Sequence, residues 1–184
     1  MDTEEKTMRR CSVFSWLIVV AVACGLAQGC TSTSEPENPV ALEAMQRDMI
    51  ERMLREIDAG DADVYLDQSL FSPDFVLHLP GTAEPIRGAQ AMRDLAAAHL
   101  KSLPNMKHEV LNFFPGPEVV VVRHNTTFDH TVDYFGAAPT GKSISETAIW
   151  VLRMQNGVFV EMWAEYDGYG SGVQMGLCTP LSEG

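Results

Sequence analysis

Helix-like periodicity occupies the front of this chain and strand-like patterning its back, and that order constrains the fold more than any other feature. Leu42, Met45, Met49, Met53 and Ile57 recur at spacings of three and four, as on one face of a helix beginning near Val40. Gly60 is a good stop, and Asp61 a cap for a short second helix running through Leu70. Asp74 to Leu79 reads as a strand, ended by Pro80-Gly81. A third helix is expected over Ala89 to Leu103, closed by Pro104, with Met92, Leu95, Ala96, His99 and Leu103 on one face. Four extended segments follow: Lys107–Phe114, Glu118–Phe128, Ser143–Met154 and Val158–Tyr166. Asn156-Gly157 between the last two suits a tight hairpin. Helices grouped ahead of an antiparallel sheet indicate an α+β fold. A sheet wrapped around helices makes a cone, and a small apolar ligand belongs in its mouth.

Composition narrows the function. The chain carries 13 Lys+Arg against 25 Asp+Glu, a formal net charge of -12. Such a chain is a poor partner for nucleic acid, because phosphate binding rests on clustered cations. An apolar fraction of 46% is too high for disorder over most of the 184 residues. Four cysteines, three of them within the first 30 residues, are too few for a disulfide scaffold. One domain is expected over residues 40–178, with 179–184 as a tail.

The N-terminus reads as an address. Lys6, Arg9 and Arg10 precede an almost wholly apolar run from Val13 to Ala27, the pattern of a secretory signal. That run has 15 residues, where a membrane-crossing helix needs about 20, so a retained anchor is the lesser alternative. Leu26-Ala27-Gln28-Gly29-Cys30 resembles a bacterial lipobox, which makes residues 1–29 the cleaved signal and Cys30 the lipidated residue. Val22-Ala23-Cys24 is a second reading with a shorter apolar run. Several acyl chains on Cys30 would hold the protein at a bacterial membrane, at the cell envelope. Residues 30–39, polar and Pro-bearing, then form a flexible tether.

In the last strand, unbroken alternation puts Phe159, Glu161, Trp163, Glu165 and Asp167 on one face and Val158, Val160, Met162, Ala164 and Tyr166 on the other. The second set reads as core. Trp163 among carboxylates then reads as a cavity wall.

Three stretches carry a family resemblance. The first is Phe75-Val76-Leu77-His78-Leu79-Pro80-Gly81, with Gly88 after it. The second is Thr127-Phe128-Asp129-His130, then Phe135-Gly136-Ala137-Ala138-Pro139-Thr140-Gly141-Lys142. The third is Asn156-Gly157, then Glu161-Met162-Trp163, Asp167 and Gln174-Met175-Gly176. Together they resemble the SnoaL-like polyketide cyclases of the nuclear transport factor 2-like superfamily. Asp133 and Asn105 depart from the family pattern, which favours Gly and Asp there. The resemblance implies a cone-shaped α+β fold, N-terminal helices packed on a curved, mostly antiparallel sheet, and a homodimer.

It also implies cofactor-free acid/base chemistry of a cyclase or isomerase type on a carbonyl-bearing apolar small molecule. Asp167 is the expected acid/base and His130 its partner, with turn and loop-edge residues as the plainer readings. His130, Tyr134 or His78 would donate to the enolate oxygen, although His78 also reads as a core histidine. Trp150 and Trp163 are expected as pocket walls, with plain packing as the alternative. His99, His108 and His124 are read as structural or surface residues. Scattered histidines, with no H-x-x-x-H spacing and no paired cysteines, point to no metal site. The rival reading is a non-catalytic module at the cell envelope that binds a small ligand or dimerises.

Overall fold

A computed structural model describes residues 38–134 and 136–181. The expected signal segment with Cys24, the lipidation residue Cys30, most of the tether, Phe135 and residues 182–184 lie outside the described residues.

Helix α1 spans Pro39–Asp58. Asn38 caps it by accepting from the backbone N–H groups of Val40 and Ala41, and Pro39 sits where its missing N–H costs nothing. Its buried stripe is Gln46, Met49, Ile50, Met53, Leu54 and Ile57. The stripe begins at Gln46 rather than at Leu42, which is half-buried, and it leaves out Met45, which is exposed. Gln46 is buried because its Nε2 donates to the Gly116 carbonyl at 2.6 Å. The expected second helix is a single 3₁₀ segment, Ala62–Leu66, capped by Asp61 as expected. It ends earlier because Asp67 turns the chain: its carboxylate accepts from Ser69 and from Arg52.

Strand β1, Phe71–His78, therefore starts before the predicted strand and leads into the two-residue β2, Ile86–Arg87. Helix α2 covers Ala89–Ser102. Gly88 enters it at φ 91, a left-handed conformation that favours glycine. Strands β3 (Lys107–Phe114), β4 (Val119–Asp129), β5 (Ser143–Gln155) and β6 (Val158–Tyr166) follow the predicted order. Asn156 and Gly157 both have positive φ, as the tight β5–β6 hairpin requires.

The six strands run in the order β2-β1-β6-β5-β4-β3, antiparallel except for β1 beside β6. Helix α3, Gly168–Met175, was not expected, since three glycines in eight residues argue against a helix. It forms because Asp167 caps it and Gln174 docks it on β5, donating to the Ser145 carbonyl and accepting from the Ser145 N–H.

The main core joins α1, the 3₁₀ segment and β1 to the inner sheet face through Ile50, Met53, Phe71, Phe75, Leu152 and Phe159. Each such side chain contributes roughly 1.5–3 kcal/mol by leaving water. Helix α2 is different: only Ala89 and Met92 of it are buried. Its remaining apolar face stands off the sheet, over a hollow.

Candidate active site

The hollow has a volume of about 150 Å³. Leu95, Ala96, His99 and Leu100 of α2 line one side. The sheet lines the other through His108 of β3, His124, Thr126 and Phe128 of β4, Glu146, Ala148 and Trp150 of β5, and Met162, Ala164 and Tyr166 of β6. The titratable groups of that wall are His108, His124, Glu146 and Tyr166. A cavity of this size takes about one ring.

The sheet register explains how polar groups gather in an apolar wall. On β4, Val120, Val122, His124, Thr126 and Phe128 alternate inward. Thr126 pairs with His108 on one side and Glu146 on the other, so those three form one row across the sheet. His124 pairs with Ala148, and Ala148 with Tyr166, in the next row. The polar corner of the hollow is thus a product of strand parity.

Glu146 is half-buried, and Oε2 accepts from the hydroxyl of buried Ser171 at 2.7 Å. Burial pushes its carboxyl above the usual range; the nearby Asp167 charge adds to the rise and the Ser171 hydrogen bond opposes it. Loss of water likewise raises the Tyr166 phenol, with Glu146 and Glu165 adding to it. His124 is 1% exposed, and its Nδ1 lies 3.3 Å from the Thr126 hydroxyl. Its Nε2 has no hydrogen-bond partner among the described residues. Burial, and then His108, pull its value down to about 3, so the ring is neutral at physiological pH. At the rim, the Tyr134 hydroxyl lies 3.4 Å from Nε2 of His99.

The predicted site residues separate into two groups. Trp150 lines the hollow, its ring centroid 4.1 Å from that of His124. Tyr134 stands at the rim beside His99 rather than in the lining. His130 is fully buried but does not line the hollow. Its Nδ1 meets the Thr140 hydroxyl at 3.0 Å, and its backbone pairs with Gly141 and Lys142, so it pins the base of the β4–β5 connection.

Trp163, His78 and Asp167 require a correction. A bulge in β6 leaves Val160 without a partner: Met154 pairs with Phe159, and Arg153 with Glu161. Beyond the bulge, Met162, Ala164 and Tyr166 face the hollow, and Glu161, Trp163 and Glu165 face away from it. Core and cavity occupy one sheet face because the helices cover only that face. Trp163, 37% exposed, stacks on His78 outside, with ring centroids 4.9 Å apart and planes 4° from parallel. Glu161 joins this outer group, contacting His78 at 2.8 Å and accepting from Arg153 at 2.9 Å. His78 holds the Glu161 carboxyl below the usual range, with Arg153 assisting.

Asp167 is exposed and caps α3, accepting from the Gly170 N–H at 2.8 Å. A Cβ on Gly170 would stand 2.2 Å from Oδ2 of Asp167, so this glycine exists to admit the cap. The carboxyl group that does line the hollow is Glu146. His108 and His124, read from the sequence as structural or surface residues, line it too.

Comparison with known proteins agrees with this architecture. The family model described as SnoaL-like polyketide cyclase matches residues 48–175. No curated protein matches the chain. Among solved structures, AclR of Streptomyces galilaeus, described as a candidate hydroxylase, is 22% identical with a TM-score of 0.66, covering 77% of this chain and 91% of its own. IdmH of Streptomyces antibioticus, described as a candidate polyketide cyclase, is 25% identical with a TM-score of 0.62, covering 71% of this chain and 97% of its own. A SnoaL-like candidate cyclase from Jannaschia sp. CCS1 is 18% identical with a TM-score of 0.65, covering 80% and 99%.

Proposed function

The chain belongs to the SnoaL-like polyketide cyclase family, and from that premise we propose that its hollow performs cofactor-free acid/base chemistry on a small, mostly apolar molecule bearing a carbonyl group. The single observation that carries the reading is Glu146, a carboxyl group in an apolar wall with its affinity for protons raised by burial. A carboxyl shifted toward neutrality is a better proton carrier at working pH. Closure of a ring by an aldol step, or an isomerisation, needs a proton removed beside a carbonyl and a donor for the oxygen that becomes negative. Glu146 and the Tyr166 hydroxyl stand where a ligand in the hollow meets them. Asp167, outside the lining, acts in this scheme through its charge on Glu146.

The reading extends to place. Lipidation at Cys30 would hold the domain at a bacterial envelope, where it meets apolar molecules beside a membrane. The outer sheet face, which exposes Val119, Ile149 and Trp163, is the face on which a second copy would pair.

The test is turnover of aryl β-ketoesters by the wild type and by Glu146→Gln. Loss of about 10²-fold or more, with binding retained, is expected of a missing proton carrier. Unaltered turnover in the variant sinks this assignment. A second reading, binding without catalysis, is favoured by the occupation of Asp167 as a helix cap. It predicts ketone binding in the hollow with no turnover by either protein.

A further inference from the structure

Glu146 is not the one group on the sheet wall of the hollow that can exchange a proton. Two strands away on the same wall stands His108, only 4% exposed at its side chain. Its ring and its own backbone both address Asp58, the last residue of α1. Nδ1 lies 2.7 Å from Oδ1, and the backbone N–H donates to Oδ2 at 3.2 Å. Lys107 ties down the same corner, its Nζ donating to the Asp58 carbonyl at 2.6 Å. A carboxylate only accepts, so the ring hydrogen sits on Nδ1 and Nε2 keeps its lone pair.

The register gives the distance between the two groups. His108 and Glu146 flank Thr126 in one row, two strand spacings or about 10 Å apart along the sheet. With a reach of about 3 Å from each group, the gap fits one acidic carbon and its neighbouring carbonyl oxygen. The ring of His124 stands 5.3 Å from that of His108, centroid to centroid, and brings to this same corner an Nε2 without a hydrogen-bond partner among the described residues.

We propose that His108 is a catalytic base of this pocket, positioned by Asp58, and that it takes a proton at Nε2 from the carbon of a bound carbonyl compound while Glu146 serves the carbonyl oxygen. The proposal rests on the hollow being an acid/base site. In the step, the C–H pair becomes the carbon–carbon π bond and the carbonyl π pair moves onto oxygen. The proton passes to Nε2, and protonated Glu146 gives its own proton to the oxygen. The products are an enol, an imidazolium beside the Asp58 carboxylate, and a Glu146 carboxylate. Burial holds the His108 ring below the ordinary histidine range against the pull of Asp58, so it waits in the neutral form.

A probe tests this without knowledge of the natural substrate. Nitrobenzisoxazole opens when a base takes its ring C–H proton: that electron pair completes a nitrile as the N–O bond breaks, releasing a coloured phenolate. With the full chain, His108→Gln is expected to slow this opening at least tenfold, within the range of general base catalysis. Asp58→Asn should move the acid limb of the pH–rate profile to lower pH, and Asp58→Glu should restore it. The other groups facing His108, namely Lys107, His99 and His124, are unchanged in both variants. Independently of any variant's folding, imidazole nitrogen NMR of the wild type should find the His108 proton on Nδ1. A proton on Nε2, or a wild-type rate in folded His108→Gln, overturns the proposal. If Glu146→Gln alone abolishes opening, the acid/base reading of the hollow survives and His108 is not its base. If neither variant slows it, both fail.

Discussion

The hydroxyl of Ser171 donates to Oε2 of Glu146 across 2.7 Å, binding the unexpected helix α3 to the carboxyl group of the hollow. This hydrogen bond favours the carboxylate, while the charge of Asp167 disfavours it. The two neighbours of Glu146 therefore pull in opposite directions. Ser171→Ala should raise the Glu146 pKa further, and Asp167→Asn should lower it. Carboxyl carbon NMR titrations of the two variants check both signs, and shifts of the same sign would exclude this arrangement.

Asp167 and Gly170 form a pair whose substitutions should not add. Asp167→Ala removes the cap and should cost about 1 kcal/mol in urea unfolding. Gly170→Ala drives a Cβ into the cap carboxylate and should destabilise the native protein. In the Asp167→Ala background the second penalty should largely vanish, because the obstructing oxygen is gone. A double-mutant cycle measures the coupling; additive penalties would mean that the cap does not require the glycine.

Stability should depend on pH through two groups of opposite sign. His124 is held down to about 3 from an ordinary 6.5. Its contribution is present above the unfolded value of 6.5 and is lost as pH falls toward about 3, because the unfolded ring takes up the proton first. The folded-state pKa of Glu146 is raised. Its contribution is present at pH below the unfolded carboxyl value and is lost as pH rises through the folded one. His124→Gln should flatten the acid side of a denaturation series, and Glu146→Gln should gain relative stability as pH rises toward neutrality.

The two described tryptophans should report differently on ligand. Trp150 lines the hollow, and Trp163 lies on the outer face. Fluorescence quenching by acetophenone should persist at low concentration in Trp163→Phe and lose its saturable part in Trp150→Phe. The reverse result would place the ligand on the outer sheet face.

Element order was readable because each segment's periodicity was long and its stops were chemical: Gly60, Pro104 and Asn156-Gly157 all end elements in the structure. The site was less readable, for three physical reasons. Alternation in β6 correctly separates Trp163 from Met162, Ala164 and Tyr166, but core and cavity share one sheet face, so the face of Trp163 is the outer one; the bulge at Val160 moves only Phe159 onto the inner face. Asp167 carries the family pattern, yet its carboxylate is spent on backbone N–H capping, an interaction that Gly170 makes possible. For one of the two histidines that line the hollow the sequence does carry a signal. His124 falls in phase with Val120, Val122 and Phe128, and a polar residue in an apolar phase either finds a partner inside or faces a cavity. His108 has Asp58 as its partner, 50 residues away in sequence, a pairing that no local pattern reveals.

Helix α2 is anchored at Ala89 and Met92, begins at a glycine with no side-chain cap, and over its later turns only partly buries Leu95, Ala96 and Leu100, which line the hollow. The occupant of that space completes the packing beneath the helix, so its arrival should slow amide hydrogen exchange in residues 93–101 more than elsewhere. In the empty protein those amides should be the first to exchange: the cargo serves as a borrowed piece of the interior.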